Sequence, residues 1–133
     1  MTALRPIPTE HVEQVRLFAW ANYAQGKYPA LSLLYAIPNG GARHPVVAAK
    51  LKAEGVKRGV PDVCLPVPRG SYHGLYIELK RQRGTSPSGD QIMWIASLSH
   101  AGYRAIWCRG WETARDEILA YLALPRCAQE QAA

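Results

Sequence analysis

A chain of 133 residues, 48% of them apolar, suits one domain built on a single hydrophobic core and leaves too little for two. No stretch approaches the roughly 20 uncharged apolar residues of a membrane span, and Met1 to Pro6 lacks an apolar signal core, so a soluble protein of the cytoplasm without membrane contact is expected. Three cysteines and four histidines show neither a Cys-x-x-Cys pair nor ligand spacing, which argues against a disulfide framework or a zinc ribbon. The net charge is +6, and residues 43–83 alone hold nine basic and three acidic side chains. The rest of the chain is balanced, so the excess forms one basic region of the kind that binds phosphate.

In chain order, residues 9–25 read as a helix with Thr9 as N-cap and Val12, Val15, Phe18, Ala19 and Trp20 on its apolar side. Leu31 to Ile37 reads as a strand stopped by Pro38-Asn39-Gly40-Gly41, and Pro45 to Glu54 as a helix closed by Gly55. Two strands, 62–68 and 75–81, follow as a hairpin about Pro68-Arg69-Gly70-Ser71, then a polar loop from Arg81 to Ser88. Asp90 to His100 is a helix opened by the capping-box pattern Ser88-Gly89-Asp90-Gln91, Tyr103 to Cys108 a strand, and Trp111 to Leu122 an amphipathic helix. Cys64 and Cys108 fall in strand-like runs, as small buried hydrophobes do. The order αβαββαβα, with a crossover helix between the strands at 75 and 108, predicts an α/β sandwich on a mixed sheet. Its core spans about residues 9–123, with a flexible tail over 124–133.

The chemistry gathers at the hairpin. Positions 62 and 78 are equidistant from Gly70, so Asp62 falls opposite Glu78, and directly opposed side chains have Cβ atoms roughly 4.5–5.5 Å apart. The strand period of two sends Tyr76, Glu78 and Lys80 to one face and Leu75, Ile77 and Leu79 to the other. Two carboxylates with the Leu79 carbonyl make a minimal oxygen cradle for Mg²⁺. Lys80 beside them is placed to orient an attacking water or to stabilise a pentavalent phosphate. An isolated Glu-x-Lys means little; the opposed Asp62 and the surrounding positive charge give it weight.

Gly55-Val56-Lys57-Arg58-Gly59-Val60-Pro61-Asp62, Ile77-Glu78-Leu79-Lys80, and Gln91 ahead of Trp94, Leu98 and Gly102-Tyr103 resemble the VRR-NUC group of PD-(D/E)XK nucleases, from about Glu10 to Leu122. The resemblance implies a Mg²⁺- or Mn²⁺-dependent DNA nuclease with Asp62 and Glu78 as metal ligands, Lys80 as catalytic lysine and Gln91 as the glutamine on the following helix. It places the first-helix glutamate of the metal site at Glu10, with Glu13 as the competing register. Asn39-Gly40-Gly41-Ala42-Arg43-His44 resembles a loop of the same family, in which two glycines admit close approach to a phosphate and Arg43 adds charge. Lys57 and Arg58 belong to the basic region, and Arg81 and Arg83 are further candidates for backbone contacts.

A structure-directed DNA endonuclease is therefore expected. With no accessory recognition domain, its substrate choice would rest on DNA shape or on a second subunit, and free-standing members of the family resemble phage or prophage recombination nucleases. A homodimer in a bacterial or phage-infected cell, cutting branched DNA such as a four-way Holliday junction, is the expected form. The competing readings are a noncatalytic DNA-binding protein on a nuclease scaffold, and a restriction-type or RNA-directed nuclease.

Overall fold

The computed structural model describes residues 5–38 and 44–126. Their order is α1 (Glu10–Ala24), a 3-10 helix (Pro29–Leu33), β1 (Tyr35–Ala36), α2 (Pro45–Ala53), β2 (Val63–Leu65), β3 (Leu75–Lys80), α3 (Gly89–His100), β4 (Arg104–Arg109) and α4 (Trp111–Leu122). The four strands form one sheet in the order β1-β2-β3-β4. β1 and β3 flank β2 antiparallel, and β4 runs parallel to β3. The last pairing is the one that a helical crossover from β3 to β4 requires.

Leu75, Ile77 and Leu79 alternate onto one face of β3, where they join Leu17 and Ala21 of α1 and Ile118 and Tyr121 of α4 in a single buried cluster. Each fully buried aliphatic side chain contributes about 1.5–3 kcal/mol, so this face is the main source of stability. The opposite face of β3 carries Tyr76, Glu78 and Lys80, and α3 reaches it through a bond from Gln91 to Glu78. Among the described residues no helix is long and apolar enough to cross a membrane.

Four local expectations give way to context. The stretch from Leu31 to Ile37 is not one strand: Pro29 opens a 3-10 helix that buries Leu31, and only Tyr35 and Ala36 pair with β2. The first hairpin strand stops at Leu65 rather than 68, because Pro66 and Pro68 cannot donate to the ladder. The buried side of α1 is Glu13, Leu17, Ala21 and Ala24, whereas Val15 of the expected apolar side is 54% exposed. Small alanines let this helix approach the sheet closely, and the buried stripe includes a carboxylate that hydrophobic patterning passes over. The expected free tail begins too early: Leu124 packs against the core and the Pro125 carbonyl accepts the Gly70 amide at 2.7 Å.

Gly59 has φ +91, and a Cβ there would stand 2.7 Å from the backbone carbon of Asp90. The segment leading into Pro61-Asp62 thus presses against the first turn of α3, and only a residue without a side chain allows it. Gly59→Ala is expected to lower unfolding stability by about 1–3 kcal/mol, measured as a shift of the urea midpoint; an unchanged midpoint would contradict this packing.

Candidate active site

The hairpin turns at Gly70, with Arg69 and Tyr72 exchanging backbone bonds of 3.2 and 2.9 Å, and its ladder pairs Val63 with Ile77. One step beyond that pair Asp62 faces Glu78. β2 has ended there, and the Asp62 side chain replaces its backbone: Oδ2 accepts the Leu79 amide at 2.8 Å. The Lys80 carbonyl turns toward β4, where it accepts from Gly110 at 2.9 Å. Strand alternation then turns the Leu79 carbonyl to the Asp62 side, so two carboxylates and one carbonyl oxygen share one space.

Glu78 is 1% exposed. Its Oε1 accepts a 2.6 Å bond from Gln91 Nε2 and lies 3.9 Å from Lys80 Nζ, while its buried Oε2 has no hydrogen-bond partner. Gln91 also closes the capping box of α3, with Oε1 accepting the Ser88 amide at 2.8 Å and its own amide donating to Ser88 Oγ at 3.2 Å. One side-chain amide thereby caps the helix and orients the glutamate. Burial, then the adjacent Asp62, pushes the Glu78 carboxyl up to about 8. Burial also raises Asp62, opposed chiefly by its bond from the Leu79 amide.

Lys80 Nζ stands 3.5 Å from Glu10 Oε1, with the lysine side chain 9% and the glutamate side chain 43% exposed. Glu10 is thus the first-helix glutamate that faces the lysine. Glu13, one turn on, is fully buried and neither of its oxygens has a hydrogen-bond partner. Its Oε2 lies 3.3 Å from the position of a Cβ on Gly110. Among the described residues no group of three or more His, Cys, Asp or Glu side chains is arranged to hold a metal. The fit to a divalent cation rests instead on the orphaned Glu78 Oε2 and on two crowded carboxylates beside a carbonyl, a donor set to which Mg²⁺ commonly adds water and substrate oxygen.

The basic residues divide. Lys57 and Arg58 are exposed just before Gly59, on the segment that leads to Asp62. Of the two arginines expected to contact DNA, Arg81 places its guanidinium on the Ile7 and Pro8 carbonyls at 3.1 and 3.3 Å, and Arg83 stays exposed with one donor on the Arg5 carbonyl at 3.3 Å. Asn39, Gly40 and Arg43 lie outside the described residues. Glu13, the competing register, lies in the buried stripe of α1, while Glu10 takes the lysine. One residue that sequence patterning did not single out stands beside the site. Arg109 pairs in register with Lys80, a relation visible only once β3 and β4 are aligned.

A mixed sheet flanked by helices, with Asp and Glu-x-Lys at the end of a hairpin and a glutamine on the next helix, defines the PD-(D/E)XK nuclease-like α/β class. The VRR-NUC domain profile matches residues 4–112, and the chain belongs to the VRR-NUC domain family, whose members are nuclease-type domains acting on DNA. A solved structure described as a VRR_NUC domain protein is similar over 91% of this chain and 93% of that one, with 30% identity and a TM-score of 0.78. No curated protein matches the chain.

A carboxyl raised in the fold binds more protons in the native than in the unfolded state, so its contribution is present below its ordinary value, 4.5, and is lost as pH rises through about 8. Metal-free wild type should therefore lose stability relative to Glu78→Gln between about pH 5 and about pH 8.5, and Mg²⁺ should restore it most at the upper end. Parallel pH profiles of the two proteins in chelator would contradict the assignment.

Proposed function

We propose that this domain is a Mg²⁺- or Mn²⁺-dependent, structure-directed DNA endonuclease that cuts branched DNA such as a four-way junction. The observation that carries it is the pairing of Asp62 with a buried Glu78 whose Oε2 has no partner, 3.9 Å across Oε1 from the Lys80 ammonium. Two adjacent buried carboxyls cannot both ionise beside a polyanion unless a cation joins them, and Glu78, pushed up to about 8, keeps its proton until one does. That is the physical reason to prefer an enzyme over a noncatalytic DNA-binding scaffold.

Asp62, Glu78 and the Leu79 carbonyl would hold the cation. When bound, it supplies Lewis acidity toward a phosphate oxygen and acidifies neighbouring water. The chain's own groups do the rest. Gln91 holds Glu78 by Oε1, which leaves Oε2 for the cation. Lys80, held between Glu10 and Glu78, is positioned to donate to the phosphate as negative charge grows. Lys57 and Arg58, with Lys50 and Lys52 at the end of α2, offer exposed cations for the duplex arms, contacts that position DNA without reading its sequence.

The functional unit we infer is a homodimer. α2 is nine residues long and buries none of them, and helices shorter than about 12 residues do not hold alone in water. Val46 and Val47 on α2 and Ile92 and Met93 on α3 are exposed apolar side chains that a second copy would cover. Twofold symmetry would then present two sites to a branched substrate.

Purified protein, shown by sedimentation to be a dimer, should cleave four-way DNA in preference to linear duplex, single strands or RNA, and only with Mg²⁺ or Mn²⁺. Lys80→Met and Glu78→Ala should each reduce the cleavage rate by about 10²–10³-fold while the lysine variant still binds the substrate. Wild type that cuts nothing in either metal would overturn the enzymatic reading, and a monomer would overturn the dimer.

A further inference from the structure

We propose that Arg81 is a positioning residue, whose guanidinium pins the chain entering α1 so that the Glu10 carboxylate stands on Lys80. The inference rests on the nuclease reading above, in which Lys80 acts on the phosphate. Arg81 follows Lys80 directly, just past the end of β3. Its Nε donates to the Pro8 carbonyl at 3.3 Å and a terminal nitrogen to the Ile7 carbonyl at 3.1 Å. These residues precede the Thr9 N-cap and have no regular structure, so their carbonyls have no helical ladder to join. A planar guanidinium with donors in a fixed fork suits two successive carbonyls, where an ammonium would serve one at a time.

Two residues beyond Pro8, the Glu10 carboxylate lies 3.5 Å from Lys80 Nζ while remaining 43% exposed. A half-exposed ion pair at that distance is weak on its own, and the first turn of a helix frays readily. Fixing the backbone immediately upstream keeps the pair together. The support continues below Arg81: Arg109 on β4 donates to the Arg81 carbonyl at 3.2 Å and to the Gly84 and Thr85 carbonyls at 3.4 Å. Its guanidinium in turn lies over the Trp107 ring, 5.3 Å from the centroid. β4 therefore holds the backbone of Arg81, and the side chain of Arg81 holds the start of α1. A clamp on DNA phosphate would instead leave the guanidinium facing outward.

The test compares kcat, KM and the salt dependence of Kd on four-way DNA with Mn²⁺. Arg81→Ala should lower kcat by about 10- to 100-fold with KM and the slope of log Kd against log salt unchanged, and Arg81→Lys should recover part of the loss. In a Glu10→Gln background Arg81→Ala should add little, because the carboxylate it positions is gone. A salt slope smaller by about one with a raised KM, or fully additive losses in the double variant, would overturn the proposal. Hydrogen exchange gives a readout that does not need cleavage: the Val12 and Glu13 amides, bonded to Thr9, should exchange faster in Arg81→Ala. If wild type cuts nothing, the nuclease reading fails and exchange alone decides the brace, which unchanged protection would refute. Arg81→Met, which keeps the apolar stem, replaces the alanine variant should that one not fold.

Discussion

Two carboxylates brought face to face at the end of a ladder repel each other, and each prefers water to the protein interior. The structure holds Asp62 and Glu78 in that arrangement by giving each a donor that comes from regular structure. Asp62 takes the Leu79 amide, which no backbone of β2 reaches. Glu78 takes the side-chain amide of Gln91, whose other end caps α3. The crowding remains in the Glu78 carboxyl, displaced to about 8, and in its partnerless Oε2. A cation would relieve both.

The scaffold around the pair follows from the same requirement. Gly59 allows the segment carrying Asp62 to touch the first turn of α3, which is also the turn that carries Gln91. The apolar face of β3 packs against α1 and α4, so the strand presenting Glu78 and Lys80 is anchored along its length on the other side. α1 in turn sends Glu10 back to Lys80, and the two ends of the site close around the ammonium. Four exposed cations, Lys50, Lys52, Lys57 and Arg58, lie on α2 and the segment after it, the region that leads to Asp62.

Much of this was legible in the sequence because the signals are local. Symmetry about Gly70 placed Asp62 opposite Glu78, the Ser88–Gln91 spacing announced the capping box, and the bounds of α4 followed from amphipathic periodicity. What escaped depends on partners far apart in the chain. Arg81 looks like a phosphate ligand until its guanidinium is seen on carbonyls 73 and 74 positions earlier. The face that α1 buries could not be read from apolar spacing, since a fully buried glutamate lies on it. Pro66 and Pro68 shortened β2, and the exposure of α2 and α3 has no counterpart in their apolar composition.

The central claim is that Asp62, Glu78 and the Leu79 carbonyl form one oxygen cradle for a divalent cation. Crystals of the protein soaked in Mn²⁺ test it directly through anomalous scattering. The account predicts a peak within about 2.5 Å of both carboxylates and of the Leu79 carbonyl oxygen. No peak there, or Mn²⁺ bound only by residues elsewhere in the chain, would contradict it.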